Sequence, residues 1–211
     1  MSGQHVTHGQ EAASADTSPQ PDVERRAQPR HMTVMRVAKL RTSHGEELCL
    51  VRDISTAGLM ARVYSPMVPG DAVTVEFKSG HSIRAHVVWR REASVGVQFD
   101  EPVDPAIVLS DHCGTSAEVQ PRAPRVNLDL AVRVRVGASY HFAILHNISQ
   151  GGARLELSVE GLREKPLVLM IPGLPVTAGR VRWQDADAIG VSFNEPIAFE
   201  TLAQWVASIP D

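Results

Sequence analysis

Residues 86–102, HVVWRREASVGVQFDEP, and residues 180–196, RVRWQDADAIGVSFNEP, decide how this chain is read. Aligned at an offset of 94, they agree at seven of seventeen positions, among them Trp89/Trp183, Gly96/Gly190 and Phe99/Phe193. The same offset carries Asp53-Ile54-Ser55-Thr56-Ala57-Gly58 onto Asn147-Ile148-Ser149-Gln150-Gly151-Gly152. Gln28-Pro29-Arg30 falls near Ala123-Pro124-Arg125 at an offset of 95. An internal repeat of this length means two copies of one domain. We assign residues 25–109 to the first copy and 122–211 to the second, with a linker over 110–121 and a tail over 1–24.

Within each copy the apolar residues recur every second position, as in Val34-Met35-Arg36-Val37-Ala38-Lys39-Leu40-Arg41 and Val73-Thr74-Val75-Glu76-Phe77-Lys78. This is the pattern of strands with one wet face. Turn signals separate the runs at Ser43-His44-Gly45-Glu46, Val68-Pro69-Gly70-Asp71 and Lys78-Ser79-Gly80-His81, with glycine where a reversal needs positive φ or a bend. Six strands by Phe99 predict a small antiparallel barrel, which leaves few exposed edges. The fold class expected is all-β: two tandem six-stranded antiparallel barrels. Phe199, Leu202, Val206 and Ile209 are spaced three and four apart and predict a helix over Ile197–Ile209 that plugs or flanks the second barrel. Trp89, Trp183, Phe99 and Phe193 occupy matching places in both copies and are expected in the cores.

The 211 residues are 43% hydrophobic, 21% charged and 5% aromatic, a composition that excludes a wholly disordered chain. No apolar run of about 18 residues and no basic, apolar, cleavable start is present, so a cytoplasmic protein without membrane insertion is expected. Two cysteines, Cys49 and Cys113, are too few for a disulfide scaffold. Net charge is −3, which argues against general nucleic-acid binding, because such proteins concentrate positive charge against phosphates. Residues 1–24 carry four acids and no Lys or Arg, whereas residues 25–104 carry twelve bases and nine acids. His5 and His8 in the tail lack a third ligand and are read as solvated, so no metal site is expected.

Two features of the first copy carry chemistry. Arg25-Arg26-Ala27-Gln28-Pro29-Arg30 precedes the first strand, and Asp53-x-Ser55-x-x-Gly58 lies at a strand-to-strand turn. Guanidinium groups grip phosphate oxygens or the O6/N7 edge of guanine, and they stack on base faces. A carboxylate, a hydroxyl and a glycine complete a small polar pocket. Taken singly, each has a plainer reading, as a solvated basic run and as an Asx turn. Their joint occurrence in this order points to an anionic nucleotide.

Arg26-x-x-x-Arg30 and Asp53-x-Ser55-x-x-Gly58 match the RxxxR and [DN]xSxxG motifs of the PilZ domain, and the first copy resembles that family from about Arg25 to Asp104. The family is the bacterial receptor module for the second messenger cyclic di-GMP. The resemblance implies that Arg26 and Arg30 contact phosphates and guanine edges while Asp53, Ser55 and Gly58 surround a guanine. It also implies that Arg25, immediately before the motif, favours an intercalated pair of ligands. In the second copy Pro121 stands where Arg26 would be, so only Arg122-x-x-Arg125 remains, with Asn147, Ser149 and Gly152 satisfying the other motif. Losing one charge-assisted contact costs about 1.5–3 kcal/mol, or about ten- to a hundredfold in affinity. The second copy is therefore expected to be a degenerate domain, at most a weak second site.

Catalysis is not expected. The chain lacks GxSxG, HExxH, P-loop and GxGxxG patterns, and His44, His81, His86, His141 and His146 have no orienting partner visible in the sequence. A barrel that binds single-stranded nucleic acid needs aromatic platforms in a basic groove, and aromatics are scarce here. The reading is thus a cyclic di-GMP receptor or adaptor with no cofactor and an unidentified protein partner. The alternative is a PilZ-like interaction adaptor that binds no nucleotide.

Overall fold

The computed structural model describes residues 34–78, 80–110 and 123–210. Arg25, Arg26, Arg30, Cys113 and Arg122, the proposed tail, and the proposed linker except Ser110 lie outside these residues.

The first copy forms β1 (Arg36–Thr42), β2 (Gly45–Ile54), β3 (Gly58–Arg62), β4 (Ala72–Phe77), β5 (Ser82–Arg91), β6 (Ser94–Phe99) and a short helix α1 (Pro105–Leu109). The second forms β7 (Val126–Val136), β8 (Ser139–Ser149), β9 (Gly152–Glu156), β10 (Pro166–Met170), β11 (Thr177–Asp185), β12 (Ala188–Phe193) and α2 (Phe199–Ala207). Each set closes into a barrel of antiparallel pairs, in the order β1-β2-β3-β6-β5-β4 and its counterpart β7-β8-β9-β12-β11-β10. The expected fold class is thus the observed one. The turn glycines Gly45, Gly70 and Gly80 adopt φ of 124°, 100° and 83°, values an L side chain resists.

Alternation fills the two interiors. Leu40, Val51, Ile54, Ala61, Val75, Val87 and Val95 are fully buried in the first barrel, and Val134, Leu145, Ile148, Leu155, Leu169, Val181 and Ile189 in the second. Phe99 and Phe193 are core residues, as expected. The helix α2 adds Leu202, Ala203, Trp205 and Val206 to the second core, and the Trp205 indole N–H donates to the Pro172 carbonyl at 2.8 Å. Helix α2 thus flanks the second barrel. It also reaches the first: Glu200 pairs with Arg62 at 3.1 Å, and the Phe199 ring meets Tyr64 edge-on at 5.9 Å.

The barrels pack against each other along β2. Leu48 is buried within the second barrel's apolar cluster, and Val37 and Tyr64 lean on the same cluster. Glu46 accepts from the backbone N–H and side-chain amide of Asn127 at 2.9 and 2.8 Å, and from Lys39 at 3.0 Å. Burial alone would raise the Glu46 carboxyl. The bonds from Asn127 and Lys39 and the charge of Arg41 outweigh it and hold the group below its usual value.

Candidate functional site

Two departures from ideal pairing recur in both barrels, and the second barrel has one more, in β7 against β8 between Asn127 and Leu130. The register of β2 against β3 shifts between Val51 and Asp53, and that of β5 against β6 between Val87 and Trp89. The second barrel repeats both shifts, at Leu145/Asn147 and Val181/Trp183. An extra residue in a strand re-aims the side chains that follow it. Here the two shifts bring Asp53 and Trp89 to one patch of the first barrel's outer surface.

This patch is a cavity of about 370 Å3 lined by Asp53, Ser55, Gly58, Met60, Trp89 and Gln98, with Ala57 and Gly96 beside them. Small-molecule sites commonly span about 300–1,000 Å3. Trp89 and Trp183 were expected in the cores, and the structure corrects this: they are 37% and 42% exposed. Each indole lies across a cross-strand glycine, and a Cβ on Gly96 or Gly190 would sit 2.0 Å from the Trp89 or Trp183 Nε1. The glycine lets the ring lie flat on the barrel wall, leaving the opposite face to solvent. The Arg91 guanidinium stands 5.9 Å from the Trp89 ring centroid, within cation–π range.

The turn between β2 and β3 is tied locally. Ser55 donates from its backbone N–H and its hydroxyl to the Gly58 carbonyl, at 2.8 and 3.1 Å. A Cβ on Gly58 would fall 2.3 Å from the Val97 carbonyl oxygen. The second barrel copies this arrangement, with Ser149 on the Gly152 carbonyl at 3.2 Å and a Gly152 Cβ 2.4 Å from the Val191 oxygen. The serine and glycine therefore have a structural duty in both copies.

The two copies differ at the acidic or amide position. Asp53 is half-buried, and its carboxylate takes no hydrogen bond or ion pair from another described residue. Its counterpart Asn147 receives a bond on Oδ1 from Arg125 Nη1 at 2.7 Å. Of the residues expected to form the first site, Asp53, Ser55 and Gly58 stand together. Of the weaker set, Arg125, Asn147, Ser149 and Gly152 stand together, with the arginine turned onto the amide. Sequence reasoning missed Trp89, Met60 and Gln98. The Trp-to-Gly spacing common to both copies carried the signal for the first of these, since it is a cross-strand pair.

A second cavity, of about 650 Å3, lies between the barrels. Its wall includes Glu46, Glu47, Asp71 and Asp129, the wrong charge for a phosphodiester. Two of the histidines depart from expectation: His86 Nδ1 lies 3.5 Å from Asp100, and His146 is held more closely. His146 Nδ1 lies 2.6 Å from Asp129 and Nε2 3.0 Å from Glu156, so it has two orienting partners supplied by neighbouring strands. The hydrogen bonds to Glu156 and Asp129 raise its pKa above the ordinary histidine value. Among the described residues no group of three or more His, Cys, Asp or Glu is arranged to hold a metal ion. No described helix is long and apolar enough to cross a membrane.

Comparison with known proteins matches the PilZ domain family to two stretches, residues 24–110 and 120–208. No curated protein sequence matches the chain. Among solved structures it is similar to the Borreliella burgdorferi PlzA protein in complex with c-di-GMP, at 11% identity over 82% of this chain and 87% of that one, with a TM-score of 0.38. It is also similar to the Bacillus subtilis inhibitor of motility MotI/DgrA, at 15% identity over 82% and 94%, with a TM-score of 0.33. The K. pneumonia MrkH–c-di-GMP complex is similar at 12% identity over 82% and 84%, with a TM-score of 0.32.

Proposed function

Because the chain belongs to the PilZ domain family, with one domain over residues 24–110 and another over 120–208, we propose that it is a receptor for cyclic di-GMP and that the first barrel holds the ligand. The observation that carries this reading is the asymmetry between two otherwise equal turns. Among the described residues the Asp53 carboxylate has no partner and stands beside a half-exposed indole, whereas Asn147 is taken by Arg125.

The chemistry follows from the residue types. A carboxylate at Asp53 accepts from the two adjacent N–H donors on the Watson–Crick edge of guanine, which adenine does not present in that form. Trp89 offers a face on which a base stacks. Arg26 and Arg30, with Arg25 beside them, supply forked donors for the phosphates from the segment ahead of β1. The ligand is bound and released unchanged, as a signal. In the second barrel Arg125 competes for Asn147 and the partner arginine position is Pro121, so that copy serves as support or as a partner-facing surface.

Strand β3 connects the site to the junction between barrels. It runs from Gly58 at the cavity to Arg62, which pairs with Glu200 of α2, a span of roughly 13 Å at about 3.3 Å per residue. Ligand held at this face by Asp53 and by the arginines of residues 25–30 biases how the second barrel is held. The test is a pair of variants titrated with cyclic di-GMP. Asp53→Ala should abolish saturable binding and Asn147→Ala should leave it intact. The reverse result would move the ligand to the second barrel, and no binding by either variant or by the unaltered protein would favour a ligand-independent adaptor.

A further inference from the structure

Among the described residues, half of strand β8 in the second barrel has no strand paired on its β9 side. Strand β8 pairs with β7 along Ser139–Ile148, but with β9 only from Ile144, opposite Glu156. Beyond Glu156 the chain pairs only with its other neighbour, where Leu157 N–H donates to the Asp187 carbonyl, while Ser158 and Val159 line the groove beside β8 without pairing to it. Among the described residues, Ser139–Ala143 therefore form an open sheet edge, bounded by the Gly137 turn at one end and by β9 at the other. Its outward row is apolar: Tyr140 is 58% exposed, Phe142 84% and Ile144 37%. A groove of about 450 Å3 runs beside it.

The internal repeat shows what such a row does when it is covered. At the offset of 94, Phe142 corresponds to Leu48 and Ile144 to Leu50. In the first barrel β2 likewise pairs with β3 only from Leu50 onward, and there β7 and α2 of the second barrel lie against β2 and bury Leu48 to 2% exposure. The first barrel's row is an interface within the chain, whereas among the described residues the second barrel's equivalent row is exposed, with only the Arg133 guanidinium over the Tyr140 ring at 5.1 Å.

A head-to-tail contact would need another barrel's α2-type face. In this chain that face is already pressed on the first barrel, and its counterpart α1 is a single turn of five residues. A two-fold contact needs only the edge itself. Antiparallel pairing of two β8 edges centred on His141 uses all five open residues and sets Tyr140 of each copy against Phe142 of the other. That arrangement satisfies the edge's backbone groups and makes aromatic cross-strand pairs.

We propose that the open β8 edge, with Tyr140 and Phe142, is a homodimer interface that joins two copies of this chain through their second barrels. Sedimentation velocity over a low-micromolar to millimolar series, without nucleotide, tests it. The unaltered protein should convert to a dimer as concentration rises, and Phe142→Glu should weaken the association at least tenfold. Tyr140→Glu is a second variant that should do the same, and at concentrations where the parent is monomeric both should keep its thermal midpoint, because neither side chain is buried. His141→Cys in a Cys113→Ser background should cross-link to its own copy on mild oxidation. A monomer at every concentration, a dimer indifferent to both glutamates, or no cross-link at position 141 would each overturn the proposal.

Discussion

Substituting alanine at Gly58 adds one methyl group, and the structure fixes where it goes. The new Cβ would lie 2.3 Å from the Val97 carbonyl oxygen, more than an ångström inside the 3.4 Å at which ordinary contact begins. The obstacle is backbone of β6, which is bonded to β3 on one side and β5 on the other in a closed barrel, so it has little freedom to yield. Overpacking of this kind costs about 1–3 kcal/mol, or roughly 5–20 °C in the midpoint of a domain this size. Gly152→Ala should cost the same, since its Cβ would meet the Val191 oxygen at 2.4 Å. Gly151, one residue earlier, has nothing within 4 Å of its Cβ position, and the first copy already carries Ala57 there. Gly151→Ala should therefore be neutral or stabilising by about 0.4–1 kcal/mol through the unfolded chain. Urea unfolding of the three variants reads the difference. Equal stability of Gly58→Ala and the parent, or equal losses at Gly151 and Gly152, would refute the argument. If it holds, the glycine of the turn motif is kept by strand packing in both copies, and its presence in the second says nothing about ligand there.

Other expectations follow from single contacts. Trp89→Ala should weaken cyclic di-GMP binding by about 5- to 150-fold, from a stacking contribution of about 1–3 kcal/mol, while Trp183→Ala leaves affinity unchanged by the same titration. His146 should titrate above 6.5 in NMR spectra, because Glu156 and Asp129 favour its charged form. A raised folded pKa makes this stabilisation fully present below about pH 6.5 and lost as pH rises through the folded value, so the stability gap between parent and His146→Gln should close on the alkaline side. Glu46 is held below 4.5, which gives the opposite sign. Its contribution is present above the unfolded value and disappears as pH falls through the lower folded one, so the gap to Glu46→Gln should close in acid.

Much of the architecture was legible because the chain states it twice. The repeat gave the two domains, alternation gave six strands per copy, and the three- and four-residue spacing of Phe199, Leu202 and Val206 gave α2. Alternation failed where the strands are irregular. Val87 and Trp89 share parity, so a regular strand would point both inward, but the extra residue between them turns the indole out. Leu48-Cys49-Leu50-Val51 reads as a continuous apolar run because the second barrel covers the outer face while Cys49 and Val51 fill the inner one. The partners of His146 lie 17 and 10 residues away, brought together only by the pairing of β7, β8 and β9. Asp53, Ser55 and Gly58 were legible as a turn with chemical potential, whereas the indole that completes the cavity was not.

The central claim is that the first barrel holds cyclic di-GMP. Calorimetric titration of the purified chain, with GTP and cyclic di-AMP as controls and Arg30→Ala as the negative variant, tests it most directly. The account predicts saturable heat with cyclic di-GMP alone, lost in Arg30→Ala. No heat from folded protein, or heat undiminished in Arg30→Ala, would contradict it.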